Sequence, residues 1–143
     1  MQRLNLFIIA LLLITFTSIT HAQPQRTKIA IVGLVHSHCW GFVTKLNEMH
    51  QRGDLIEIVG ISDDNQELRD YIKTQVPGVA IYDNYGKMLD EKKPEVVWSF
   101  VENDRHLEVT KACATRKIHV MFEKPMSATY DEAQFDAQHN ARF

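Results

Sequence analysis

The sequence has no excess of charge of one sign, few cysteines, no apolar run long enough to span a bilayer comfortably, and no complete glycine fingerprint. Its 16 Lys and Arg are set against 18 Asp and Glu, for a net charge of −2. No basic stripe runs along the chain, so nucleic acid is not an expected partner. No internal repeat or low-complexity tract is present. The longest apolar stretch, Leu6 to Phe16, falls short of the roughly 20 residues of a membrane-spanning helix. No cysteine follows that stretch to carry a lipid anchor, and there is no twin-arginine pair. The latter absence points to export of an unfolded chain, before any cofactor is bound.

What is present at the start has the layout of a secretory signal peptide. Met1-Gln2-Arg3 is a short positive beginning, and the apolar run follows it. Thr20-His21-Ala22 then places small residues at −3 and −1 of a cleavage point. Residues 1–22 are therefore expected to be a Sec-type signal peptide, with an uncleaved anchor as the alternative. The expected location is exported, either periplasmic or extracellular.

The remaining length is one domain's worth: the whole chain has 143 residues. Lys28 to Phe42 is the stretch that organises it. Ile29-Ala30-Ile31-Val32 is apolar at every position, as in a strand buried on both faces of a parallel sheet. Four more strands are predicted at Leu55 to Ile61, Val79 to Tyr82, Glu95 to Val101 and Ile118 to Phe122. Helices are predicted over Trp40 to Gln51, with Phe42, Val43, Leu46 and Met49 on the apolar side, and over Asp64 to Thr74, capped by Asp63 or Asp64. Further helical segments are predicted over Tyr85 to Glu91, Asp104 to Arg116, and from Thr129 onward. Thr129 and Glu132 suit a capping box in the last of these. Gly53 is a helix stop and Pro77-Gly78 a turn. Alternating strands and helices give an α/β fold with a doubly wound parallel sheet over 27–143, in spatial order 3-2-1-4-5.

Two cysteines in an exported protein raise the question of a disulfide. The topology argues against one, because it puts the helices bearing Cys39 and Cys113 on opposite faces of the sheet.

A glycine closing the first strand ahead of a helix is where Rossmann-type folds hold a dinucleotide pyrophosphate. In the register G-x-G-x-x-G, Gly33 matches, while Val35 and His38 replace the second and third glycines. His38, near the helix start, is placed to donate to a phosphate. His36, His38 and Cys39 also invite a metal reading. Only Asp or Glu side chains from elsewhere can complete such a site, and the spacing matches no established pattern, so no metal is expected.

The motifs follow one another in a recognisable order. Ser62-Asp63 comes after the second strand, Glu102-Asn103-Asp104-Arg105-His106 after the fourth, and Glu123-Lys124-Pro125-Met126 after the fifth. The chain resembles the N-terminal domain of the glucose–fructose oxidoreductase, inositol dehydrogenase and MocA (Gfo/Idh/MocA) family. Members show a T-P-N-x-x-H segment after the fourth strand and E-K-P after the fifth. Asn103 and His106 keep that spacing, with Val101-Glu102 where Thr-Pro is usual, and Glu123-Lys124-Pro125 matches fully. The resemblance covers Lys28 to about Ala137.

The resemblance implies a Rossmann-like domain binding NAD or NADP, in an oxidoreductase acting on sugars or polyols. Gly33 would form the turn beneath the pyrophosphate, with Val35, His36 and His38 beside it. Asp63 would accept from the adenosine ribose; capping of the second helix is its equal alternative. Asn103 and His106 would line the cofactor pocket, although His106 also suits a helix surface. Lys124 would be the catalytic residue, approaching the nicotinamide and the substrate hydroxyl, where a cation eases alkoxide-like charge. Glu123 and Pro125 would frame it, the latter often through a cis peptide. The family's substrate pocket lies in a second domain, and this sequence ends before an expected sixth strand. A fragment that does not turn over substrate alone is thus expected. The alternative is a non-catalytic module binding a small ligand or partner in the same cleft.

Export predicts cleavage after Ala22. Mass spectrometry of the exported protein should find Gln23 as the first residue; a mature chain still beginning at Met1 contradicts cleavage.

Overall fold

The computed structural model describes residues 25–125, 128–131 and 133–134. The signal-peptide expectation lies outside them, as does Glu132 of the proposed capping box. Five strands form one wholly parallel sheet: β1 (Thr27–Val32), β2 (Ile56–Ser62), β3 (Ile81–Tyr82), β4 (Val96–Ser99) and β5 (His119–Phe122). Their spatial order is β3-β2-β1-β4-β5, as the sequence predicts. Four helices connect them: α1 (Cys39–Arg52), α2 (Gln66–Gln75), α3 (Tyr85–Lys92) and α4 (His106–Ala114). A further turn is marked by the Ala133 N–H donating to the Thr129 carbonyl at 3.1 Å.

β1 is central because its side chains feed two cores. Successive residues of a strand point to opposite faces. Ile31 packs with Val43, Leu46, Ile72 and Phe100 on one face. Ala30 and Val32 pack with Met88, Leu89, Val97 and Val109 on the other. A strand with one polar face could not serve both layers. Each fully buried Ile or Leu contributes roughly 1.5–3 kcal/mol.

Glycine admits one close contact within these layers. A Cβ on Gly60 would lie 3.0 Å from the Met88 sulfur, so the missing side chain lets α3 settle onto β2.

Several boundaries differ from the sequence expectation, each for a local reason. β3 has two residues instead of four, because the Val79 N–H is used in the turn, donating to the Val76 carbonyl. α2 is capped by Asn65, neither Asp63 nor Asp64: its Oδ1 accepts from the Glu67 and Leu68 N–H groups. The chain after β4 first makes a 3₁₀ turn, Asn103–Arg105, before α4 begins. α4 ends at Ala114, and Lys117 takes a left-handed φ of 57° just after it. Phe42 is 38% exposed instead of buried; its ring lies against Trp98 and Phe100 at the margin of the core. Gly53, with φ of 81°, ends α1 as expected.

Cys39 and Cys113 are both free and buried, one in each core layer. The absence of a bridge follows from the topology. Burial pushes each thiol up to about 12. In native protein at pH 8 neither should react with a thiol reagent, and two thiols per chain should react after denaturation. A rapid stoichiometric reaction of either in the native state would contradict this packing.

Candidate functional site

The carboxyl ends of the strands meet at one edge, where the central strand order reverses. Such switch points are where open α/β sheets bind ligands. Gly33 ends β1 and turns with φ of +84°. Its N–H donates to the Ser62 carbonyl at 2.8 Å. A Cβ there would meet the Val101 nitrogen at 2.6 Å, so the turn presses directly onto the end of β4.

Asp63 fixes the same turn from β2. It is 6% exposed, and its Oδ2 accepts from the Leu34 N–H at 2.7 Å. Its Oδ1 accepts from the Asn65 N–H at 2.8 Å. Burial raises its pKa, with the two backbone N–H donors acting in the opposite direction. Each oxygen keeps a further lone pair, and the residue borders the cleft. Its first task in this fold is to clamp the β1 turn, which neither sequence alternative contained.

A cleft of about 200 Å³ lies between these ends, bordered by Gly33, Val35, Asp63, Tyr85, Val101 and Arg105. Ligand pockets that enclose whole drug-sized molecules run to about 300–1,000 Å³. This one can enclose part of a dinucleotide, with the remainder lying across the open edge. Asp64, Asp83, Glu102 and Glu108 complete an acidic rim. Among the described residues lining the cleft, Arg105 is the only cation. It is shared among Asp64 at 3.0 Å, Glu102 at 3.5 Å and Glu108 at 3.9 Å. Tyr85 donates to Glu108, and burial together with that bond raises its pKa. Arg105, Tyr85 and Glu108 carried no role in the sequence reading. Arg105 stood within the Asn103–His106 motif; Glu102 and Glu108 flank it in the same stretch, while Asp64 reaches it from the loop after β2.

α1 begins without a side-chain cap. His38 stands at the N-cap in a helical conformation, and Val35 is 44% exposed before it. The first-turn N–H groups and the positive end of the helix dipole suit an anion. His38 Nδ1 lies 3.4 Å from Glu123 Oε2, linking this turn to the end of β5. His36 is half-buried, with its ring 5.0 Å from that of His38. Lys124 and Pro125 are exposed just beyond Glu123, joined by a cis peptide.

The two remaining candidates part company. Asn103 is exposed on the 3₁₀ turn. His106 is 1% exposed, stacked on Phe122 with centroids 4.7 Å apart. It is a core residue, not a helix-surface one, and neither Asn103 nor His106 is among those bordering the cleft.

Residues 27–141 match the profile of the GFO/IDH/MocA family, described as "Oxidoreductase family, NAD-binding Rossmann fold". The chain belongs to this oxidoreductase family. Solved structures of similar fold include the WlbA dehydrogenase from Bordetella pertussis in complex with NADH and UDP-GlcNAcA. It is 19% identical, with a TM-score of 0.69 over 82% of this chain and 34% of its own. Apo scyllo-inositol dehydrogenase from Lactobacillus casei is 17% identical, with a TM-score of 0.66 over 84% of this chain and 34% of its own. An oxidoreductase from Desulfitobacterium hafniense, described as putative and NADPH-dependent, is 24% identical, with a TM-score of 0.66 over 81% of this chain and 32% of its own. The family member described here thus spans about one third of the length of these structures. No curated protein sequence matches it.

The Gly33 turn is the most sensitive point of this site. In Gly33→Ala the strained φ costs about 1–3 kcal/mol, and the clash with Val101 adds about 1–3 kcal/mol. Urea denaturation should show a loss of at least about 2 kcal/mol. Wild-type stability in this variant would contradict the tight turn.

Proposed function

We propose that this chain binds NAD at the open edge of its sheet and serves as the nucleotide-binding part of an exported oxidoreductase acting on sugars or polyols. The observation that carries the reading is the Gly33 turn. It is clamped by Asp63 and delivers an α1 N-terminus whose first N–H groups have no side-chain cap. That cradle suits a pyrophosphate, and the adjacent cleft suits an adenosine. The match to an NAD-binding family supports the cofactor class. The substrate class draws on similar structures described with UDP-GlcNAcA and as a scyllo-inositol dehydrogenase. Export draws on the signal-peptide layout of residues 1–22.

The acidic rim favours NAD over NADP. A 2′-phosphate in this cleft would face Asp63, Asp64, Asp83 and Glu102, and Arg105 already balances three carboxylates. Like charges in contact cost several kcal/mol. NAD supplies the hydride-accepting nicotinamide when bound. Asp63 would hold the ribose, and the α1 N-terminus with His38 would hold the pyrophosphate. Lys124 would offer positive charge to the substrate oxygen. Lys124 is exposed, and water screens its charge. Hydride transfer also requires reactants held in near-attack contact, worth about 7 kcal/mol or more in good cases. The chain by itself is therefore a cofactor binder without turnover.

Calorimetry of the purified chain should give saturable NAD binding at least about tenfold tighter than NADP, a difference of about 1.4 kcal/mol. Incubation with NAD and a panel of sugars and polyols should give no NADH above that of Lys124→Ala. The absence of saturable binding to either dinucleotide would favour a non-catalytic module for another ligand. Lys124-dependent NADH formation would show that the short chain is itself an enzyme.

A further inference from the structure

His36, His38 and Glu123 come together although 85 positions separate His38 from Glu123. One ligating atom from each lies within 4.8 Å of the other two. The spacing of the two histidines, taken alone, matches no metal pattern. The fold supplies the missing carboxylate, because β5 ends on the same edge as the β1 turn.

We propose that these three side chains bind a divalent first-row transition-metal ion of the zinc class. Two imidazoles and one carboxylate form a donor set for Zn²⁺ or Fe²⁺, whereas Mg²⁺ and Ca²⁺ favour oxygen ligands throughout. Three protein donors leave at least one position for water or another oxygen ligand.

The environment of Glu123 supports the assignment. Its side chain is only 14% exposed, and its closest partner among the described residues is His38 at 3.4 Å. A carboxylate this far out of water calls for a compensating positive charge. At 3.4 Å that contact is too long for a strong hydrogen bond, and an ion between the two supplies a closer partner. His36 fits the same account. Its Nδ1 receives only a long 3.4 Å contact from the His38 N–H, so local turn structure makes weak use of this ring.

The geometry requires little adjustment. Metal bonds of about 2.0–2.2 Å place tetrahedral donors about 3.4 Å apart. The His38 side chain is 53% exposed and free to turn inward, while the less exposed Glu123 supplies a fixed anchor. Cys39 is not a fourth ligand: its sulfur faces the Gly33 carbonyl at 4.0 Å, inside the core. The ion would stand near the start of α1 and one residue from Lys124, where the Glu123 carboxylate and an anionic oxygen ligand in its open position would offset the positive surroundings.

The site shares His38 with the proposed pyrophosphate cradle, so its test omits dinucleotide and reads metal binding alone. The purified chain is stripped with chelator and titrated with Zn²⁺ by calorimetry and with Co²⁺ by visible absorption. Saturation at one ion per chain is expected, with no response to Mg²⁺ at the same concentration. His36→Ala, His38→Ala and Glu123→Gln should each weaken binding at least about tenfold. His119→Ala, at the opposite end of β5, should leave it unchanged. Far-UV circular dichroism of the metal-free variants checks that they fold. Paramagnetically shifted imidazole signals from His36 and His38 in the wild-type Co²⁺ complex test the ligands without any variant. No saturable binding by the wild type, equal binding by the three variants, or shifted signals from other histidines would overturn the proposal.

Discussion

The hydrogen bond from the Leu34 N–H to Asp63 Oδ2, 2.7 Å long and buried, fixes where everything at the sheet edge can be. It joins the end of β2 to the residue after Gly33. Gly33 in turn lies against Val101, at the end of β4. Three strand ends are thereby locked around one turn, and the start of α1 follows from it. A buried carboxylate is costly unless its lone pairs are used. Here backbone donors use them, so the charge stabilises a loop that has no regular ladder bonds of its own.

The electrostatics of the edge divide along its length. Toward β2 and β3 the rim is acidic, with Arg105, from the turn after β4, shared between Asp64 and its own sequence neighbours Glu102 and Glu108. Toward β5 the groups are His36, His38, Glu123 and Lys124. The first region suits hydroxyl-bearing and uncharged parts of a ligand. The second can hold cations or anions according to what shares it. This asymmetry arises because α1 meets the segment after β5 in one region, and the loops after β2, β3 and β4 meet in the other.

The replaced glycines become intelligible in this setting. Val35 is exposed at the cleft border, so its side chain projects into open space instead of into the packing between strand and helix. His38 stands at the head of α1 and reaches across to Glu123. Only Gly33 occupies a position that no other residue can take without strain. Departures from the glycine pattern therefore alter the surface of the site while leaving its backbone frame intact.

The amino-acid sequence by itself determined the parallel sheet, its strand order, the separation of the two cysteines and the family. These follow from local facts: apolar runs at strand length, helix periodicity, glycine stops, and short motifs at fixed places along the chain. Tertiary structure alone decided that Asp63 faces the Leu34 N–H, leaving Asn65 to cap α2. It also decided that His106 is buried on Phe122 and that Glu123 joins His36 and His38. Each of these choices depends on the direction of a polar side chain and on a partner distant in sequence. Periodicity records which face of an element is apolar. Which polar group reaches which partner is set only when the strand ends are brought to one edge.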